Sequence, residues 1–315
     1  MHTKLKVGVA GVGSLGQWHA RIYSELPEVE LAGVFDADPR RAQEIAERYR
    51  TRAFASLPEL AGAVEAASVV VPTNRHAEVT DLFMGMGVHL LVEKPIATTQ
   101  AEAEHMVATA AERNLVLQIG HVERFNPAID ELPGLLKTPH YIEAARMAPY
   151  PPPRPGLPPR GTEVSVVHDL MIHDLEIILH LVASPIVSVQ ADGFTCLSPT
   201  EDFASARLRF ANGCVARVTA SRISQERVRQ WTIFQADNYL TVDFQAQAAR
   251  IVRKTATGLE AQDLPTVKAE PLKRELASFV DCVRRRGTPV VDGHQGTAAL
   301  RLADEVCLAI RGNNR

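Results

Sequence analysis

The sequence predicts an α/β amino-terminal half built on a doubly wound parallel sheet. It joins this to an α+β carboxyl-terminal half with a large, mostly antiparallel sheet. Three observations carry the prediction. Up to about residue 120, short apolar runs alternate with runs of helical period, the signature of a parallel sheet covered by helices. Between the first apolar run and the first helical one lie Gly11, Gly13 and Gly16. From 186 to 254 the pattern switches to alternating runs separated by turn residues, with Asn212-Gly213 as a hairpin signal.

Leu5, Val7 and Val9 alternate as a short buried strand does, and residues 14–26 read as a helix with Leu15, Trp18, Ile22 and Leu26 on one face. In a strand–turn–helix, the spacing G-x-G-x-x-G has a mechanical meaning. The first glycine permits the tight turn, the second lets backbone approach a pyrophosphate, and the third lets the helix pack close to the strand. The helix amino terminus then stabilises the phosphate charge. A chance cluster of glycines is the bland alternative, and the context counts against it. A second strand, 29–35, ends at Asp36, which lies 20 residues after Gly16. There the fingerprint places a carboxylate for the adenosine ribose hydroxyls. The reading is a Rossmann domain over residues 1–122, with Gly11, Gly13, Ser14, Leu15, Gly16 and Asp36 at the dinucleotide. NAD is favoured over NADP because Asp36 would repel a 2′-phosphate. Arg40 and Arg41 could pair with one, so NADP stays open.

Asp38-Pro39 is an N-cap followed by proline at the first helical position, and Ala42, Ile45, Ala46 and Tyr49 mark the helix. A short helix fits 57–64. Residues 67–71 form an apolar strand that ends in Pro72-Thr73-Asn74-Arg75-His76, at the sheet edge where open α/β folds bind ligands. After a helix at 77–86 and a strand at 88–92 comes Glu93-Lys94-Pro95, where proline disfavours helical geometry at Lys94. On spacing alone that lysine is a solvent-facing residue. Thr99 and Glu102 form a capping box, and 115–119 closes the series, ending at Gly120-His121.

The second domain is assigned to 123–315. Residues 123–136 read as a helix interrupted by Pro127 and Pro133, and 141–147 as a strand. Residues 149–159 hold seven prolines, which favours an extended loop. A linker is the default reading, and a loop over an anionic ligand is the alternative, since Arg154 and Arg160 flank it. In the helix that begins HDLMIHD, Asp169 and His173 stand four residues apart and share a face. Spacing leaves open whether they are a surface ion pair or a catalytic pair. Nothing nearby completes a zinc ligand set, so no metal is expected. Strands fit 186–195, 204–210, 215–222, 231–236 and 239–244, and helices fit 272–285 and 295–310.

The 315 residues carry a net charge of −3, and the only long basic run, 284–286, reads as a solvated helix end. A dedicated nucleic-acid binder is therefore not expected. Cysteines 196, 214, 282 and 307 lack C-x-x-C spacing and are read as reduced thiols. No apolar run is long enough to span a bilayer, and the first strand begins too early for a cleavable signal. The expectation is a soluble, cytoplasmic protein.

The glycine motif with His19, the loop 72–76, Glu93-Lys94-Pro95 and Asp169-x-x-x-His173 together resemble the glucose-fructose oxidoreductase/inositol dehydrogenase (Gfo/Idh/MocA) family. The likeness in order and spacing runs across essentially the whole chain. It implies hydride transfer between a sugar or cyclitol carbon and NAD(P). It places Lys94 beside the nicotinamide, with Asp169 and His173 facing it from the second domain. It adds Pro72, Thr73, His76 and Glu93 to the cofactor contacts, and implies dimers or tetramers through the carboxyl-terminal sheet.

Residues 120–128 (GHVERFNPA) and 166–174 (VVHDLMIHD) resemble the UDP-N-acetylglucosamine 3-dehydrogenase branch, with His168 where an apolar residue is expected. That resemblance implies oxidation of the 3-hydroxyl of a UDP-sugar to a ketone, which a partner aminotransferase could consume. Histidine suits proton transfer because its ordinary pKa, ~6.5, lies near working pH. His173 is thus the leading base, with Asp169 orienting it and Lys94 stabilising the alkoxide, or Lys94 is itself the base. Substrate contacts are expected from Arg124, Asn126, Arg154, Arg160, Asp169 and His173. Arg146 is a further cation for the diphosphate, since arginine grips phosphate bidentately. The competing readings are an inositol or simple-sugar dehydrogenase and a dinucleotide-binding regulator without chemistry.

Overall fold

A computed structural model describes residues 3–153, 159 and 161–313. The first run of elements is β1 (Leu5–Ala10), α1 (Gly16–Glu25), β2 (Val29–Phe35), α2 (Pro39–Tyr49), α3 (Leu57–Ala61), β3 (Ala66–Val69), α4 (His76–Gly85), β4 (His89–Glu93), α5 (Gln100–Glu112) and β5 (Leu117–Gly120). There follow α6 (Leu132–Leu135), β6 (Tyr141–Met147), α7 (Ile172–Val182), β7 (Ile186–Phe194), β8 (Phe203–Phe210) and β9 (Val215–Ser221). The last are β10 (Val228–Phe234), β11 (Asn238–Asp243), β12 (Ala248–Thr255), β13 (Gly258–Asp263), α8 (Pro271–Arg285) and α9 (Gly293–Asn313). They form two compact units. One comprises the chain up to Val122 together with Glu270–Thr297; the other comprises Glu123–Ala269 with the chain from Ala298 onward.

The first unit is an α/β layer structure around a parallel five-stranded sheet in the order β2-β1-β3-β4-β5. Its apolar strands are covered on both faces, as parallel strands require. Val7, Val9, Val34 and Leu91 share a core with Ile22 and Tyr23 of α1 and with Leu276, Phe279, Val280 and Val283 of α8. Each such side chain contributes about 1.5–3 kcal/mol on burial. The change of sequence pattern predicts a single boundary, after 122. In the structure, the apolar face of α8 returns 270–297 to the first unit.

Local signals in this unit take the form the residues dictate. Asp38 caps α2 by accepting from the Arg40 amide at 2.9 Å, and Thr99 and Glu102 form the reciprocal capping box of α5. Helix α1 differs from expectation. Trp18 lies 47% exposed, and the buried face is His19, Ala20, Ile22 and Tyr23. Hydropathy alone favours burying Trp18, but His19 and Tyr23 both find a buried hydroxyl partner in Ser68 of β3.

The second unit is an eight-stranded sheet in the order β13-β12-β11-β10-β6-β9-β8-β7, antiparallel except where β6 runs parallel to β9. Its inner face buries Ala204, Ala206, Leu208, Ala216 and Val218 against Leu175 and Ile178 of α7 and Leu302 and Val306 of α9. The predicted hairpin joins β8 to β9, with Gly213 at φ +90° and the Asn212 side chain accepting from the Cys214 amide at 3.1 Å. Residues 123–136 do not form one helix. Pro127 and Pro133 divide them into two 3₁₀ turns, Val122–Phe125 and Pro127–Ile129, and the single turn of α6. Among the described residues, no helix is long and apolar enough to cross a membrane, and no group of acids, histidines and cysteines could hold a metal ion.

Candidate active site

Backbone builds the dinucleotide cradle of the first unit. Gly11 sits at φ +88°, and a Cβ there would lie 2.6 Å from the Val70 carbonyl oxygen. A Cβ on Gly16 would come within 1.9 Å of the Gly11 carbonyl oxygen, so α1 packs where only glycine fits. Gly13 is different: a Cβ there would meet nothing within 4 Å, and Gly13 and Ser14 are exposed. That open space is where the fingerprint brings a pyrophosphate, at a helix end with Leu15 as N-cap and no side-chain cap. Asp36 braces the loop, accepting from the Val12 amide at 2.8 Å and the Asp38 amide at 3.0 Å. A carboxylate has about four acceptor positions, so it can still take ribose hydroxyls. Arg41 donates to the Val12 carbonyl at 2.9 Å and pairs with Glu44 at 2.7 Å, which turns it away from a 2′-phosphate role. These residues fit NAD.

The next two strand ends are tied together. Pro72 is exposed, Thr73 opens a 3₁₀ turn, and His76 begins α4 with its ring buried. The His76 Nε2 lies 3.0 Å from the Val71 carbonyl, and Nδ1 lies 3.0 Å from that of Pro95 and 3.3 Å from that of Ile96. Burial pushes its pKa below the ordinary histidine value, against the pull of those carbonyls. The His76 ring is a strut between the segments after β3 and β4.

Glu93 is buried at the end of β4; the half-buried Lys94 follows it and is joined to Pro95 by a cis peptide bond. The Glu93 carboxylate lies 3.3 Å from His19 Nε2, while His19 Nδ1 lies 3.0 Å from Ser68 Oγ and the Tyr23 hydroxyl 2.8 Å from the same oxygen. This buried polar chain behind Glu93 was invisible in the sequence except for His19, because Ser68 lies in an apolar run and Tyr23 in a helical one.

In the second unit, Asp169 lies in a π-helical turn, Val167–Met171, that leads directly into α7 and His173. Such turns are frequent at functional sites. Both side chains are half-buried. His168, the departure from the expected apolar residue, pairs with Asp304 at 2.9 Å.

Two of the expected substrate cations, Arg124 and Arg146, form buried ion pairs. Arg146 is 2% exposed, grips Asp174 through two bonds of 2.8 and 2.9 Å, and reaches Glu123 at 2.8 Å. Burial alone would lower its pKa; the two carboxylates more than offset this and hold it raised. Trp231 Nε1 donates to the same Asp174 at 2.9 Å. Arg124 donates to buried Glu176 at 2.6 Å, so it is a structural partner of α7. Asn126 was expected at the substrate as well. It is 3% exposed, with its amide group donating to Glu123 and to the Phe244 carbonyl, each at 3.0 Å. Arg154 and Arg160 lie outside the described residues.

Comparison with known proteins accounts for this pairing of a dinucleotide cradle with a sheet-bearing second unit. Residues 5–121 match the model of an oxidoreductase family with an NAD-binding Rossmann fold, and 134–239 match the GFO/IDH/MocA C-terminal domain. The chain belongs to the Gfo/Idh/MocA oxidoreductases. It is similar to a UDP-N-acetylglucosamine 3-dehydrogenase of Acidithiobacillus ferrooxidans, 36% identical over 97% of each chain. A solved structure of that enzyme has a TM-score of 0.92 and covers 99% of both chains. A scyllo-inositol 2-dehydrogenase (NAD(+)) of Bacillus subtilis is 25% identical over 96% of this chain and 93% of its own. As a Gfo/Idh/MocA member the chain is an NAD-dependent dehydrogenase.

Proposed function

We propose that this oxidoreductase converts the 3-hydroxyl of UDP-N-acetylglucosamine to a 3-keto group. The observation that carries the reading is the full-length similarity to an enzyme of that name, at 36% identity. Bound NAD supplies a hydride acceptor. As the C3–H bond breaks, the imidazole of His173 takes the proton from O3, and Asp169 orients that ring and favours its protonated form. Lys94 Nζ donates a hydrogen bond to O3 and stabilises the negative charge that develops there. Arg154 and Arg160 are the cations assigned to the diphosphate. Homodimers or homotetramers through the eight-stranded sheet, a cytoplasmic setting and an aminotransferase that consumes the ketone belong to the same reading.

The test is nicotinamide reduction by purified protein with NAD and the UDP-sugar, an amine donor and its aminotransferase being present to pull an unfavourable equilibrium. Inositol and free sugars run in parallel. Turnover on the UDP-sugar alone supports the substrate; turnover only on inositol retires it in favour of a cyclitol. Lys94→Ala and His173→Ala should each lower kcat by about 100-fold or more, the scale of a lost acid–base or oxyanion group, with NAD affinity retained. Near-normal turnover in either variant removes that residue from the mechanism.

A further inference from the structure

Arg222, in the second unit, is one of the largest fully buried side chains, and the mechanism above does not use it. Its Nε donates to Asp202 Oδ1 at 2.9 Å, and one terminal nitrogen donates to the Gly161 carbonyl. The other terminal nitrogen lies 2.8 Å from each of the Val164 carbonyl, the Thr200 hydroxyl and the Glu201 carbonyl. Asp202 is fully buried in turn. Its Oδ2 accepts from the amides of Cys196, Leu197 and Ser198 at 2.8, 2.6 and 2.9 Å, and its Oδ1 from the Ser198 hydroxyl at 2.6 Å. Burial alone would raise its pKa; these donors hold it well below the usual carboxylate range, so the carboxylate stays charged.

The pair grips the segment that lies against Asp169. Gly161 is at φ +82°, and a Cβ there would lie 2.6 Å from Asp169 Oδ2 and 3.0 Å from its carboxyl carbon. The Asp169 carboxylate therefore rests on bare Cα. The segment beyond is stitched to residues 200–201. Thr200 Oγ1 lies 3.1 and 2.8 Å from the Thr162 and Val164 carbonyls, and the Val166 amide donates to the Glu201 carbonyl at 2.9 Å. A surface loop has no need of a buried guanidinium on two of its own carbonyls. A carboxylate that must hold one orientation does, because displacements of an ångström at a reacting group cost large factors in rate.

We propose that Arg222 and Asp202 are positioning residues that act through Gly161 to fix the orientation of the Asp169 carboxylate. The inference rests on the role given to Asp169 under the proposed function. Gly161→Ala puts a methyl group where the carboxylate lies, with the ion pair left in place. Arg222→Gln loosens the support from below.

The test combines a double-substitution cycle with crystal structures. In the cycle, Gly161→Ala should lower kcat tenfold or more in the wild-type background and less than twofold in an Asp169→Asn background, with NAD affinity unchanged in both. Equal factors in the two backgrounds would show damage unrelated to Asp169 and overturn the proposal. Crystal structures of Gly161→Ala and Arg222→Gln should show the Asp169 carboxylate rotated or displaced; a carboxylate left in place overturns the proposal whatever the kinetics. If Asp169→Asn alone turns over normally, the mechanistic role of Asp169 falls, and the crystal structures still decide the brace. Should Arg222→Gln fail to fold, Gly161→Ala carries both arms.

Discussion

The two units build their candidate sites from different materials. In the first, the cradle is backbone: glycines placed where a Cβ would strike a carbonyl or fill an open space, and a carboxylate bonded to the loop amides. In the second, which carries Asp169 and His173, the frame is a set of buried ion pairs, Arg146 with Asp174 and Glu123, Arg124 with Glu176, and Arg222 with Asp202. A backbone cradle fails when a side chain is added, whereas an ionic frame fails when a partner is removed. The two kinds of failure should be separable by experiment.

The largest effect is expected in the ionic frame. Arg146→Met would take the arginine partner from buried Asp174 and leave Glu123 with the half-buried Arg229 at 3.1 Å, and breaking a buried pair from one side costs about 3–5 kcal/mol. For about 150–250 residues, 1 kcal/mol corresponds to roughly 2–4 °C, so calorimetry should show a transition lowered by about 6–20 °C. NAD binding, which belongs to the other unit, should survive at temperatures where the variant is folded. A variant as stable as wild type would mean that the Arg146 cluster contributes nothing as a frame.

The glycines should show the contrast within the cradle itself. Gly16→Ala forces Cβ into the Gly11 carbonyl, so the turn must shift, and NAD affinity measured by calorimetric titration should fall by about 100-fold or more, ~2.7 kcal/mol. Gly13→Ala meets nothing in the protein. Its melting temperature should stay close to wild type while NAD binding still weakens, since the methyl group occupies ligand space. Equal affinity in Gly13→Ala and wild type would show that no pyrophosphate approaches that backbone.

This difference in materials also decided what could be read from the sequence. Backbone constraints leave local traces: the spacing of Gly11, Gly13 and Gly16, Asp36 at its offset, the capping box at Thr99 and the hairpin at Asn212-Gly213. The ionic frame leaves none, because Arg146 meets Asp174 28 residues on and Arg124 meets Glu176 52 residues on. An arginine that balances a buried acid looks, in sequence, like one waiting for a phosphate. The exposure of Trp18 and the burial of the His76 ring leave no trace for the same reason, being set by Ser68, which His19 meets, and by carbonyls on other elements. Strand β13 is exposed throughout, so no face of it carries a hydrophobic signal. Helix α8 is legible from its own period, but its membership of the first unit depends on packing that no period encodes.

The smallest effects set one buried glutamate of each unit against the other. Glu275 on α8 is fully buried, and neither carboxylate oxygen has a hydrogen-bond partner among the described residues. Burial, and secondarily the charge of Glu93, pushes its pKa well above the ordinary value. Glu176 is likewise pushed up, to about 7, by burial, but Arg124 opposes the shift. With a raised folded pKa, neither costs stability below the unfolded value of about 4.3, where both states hold the proton. As pH rises past that point the unfolded chain ionises first, so stability falls, for Glu176 until about pH 7 and for Glu275 further. Glu275→Gln removes a penalty and strands nothing. Its melting temperature should exceed wild type by a few degrees at pH 8 and by less at pH 5. Glu176→Gln removes the buried carboxylate to which Arg124 donates, so at pH 8 it should melt below wild type. Thermal scans of both variants at the two pH values give the answer. Glu275 is an ordinary ionised acid if its substitution gives the same difference at pH 5 and pH 8, and Arg124 needs no counterion if Glu176→Gln is as stable as wild type at pH 8.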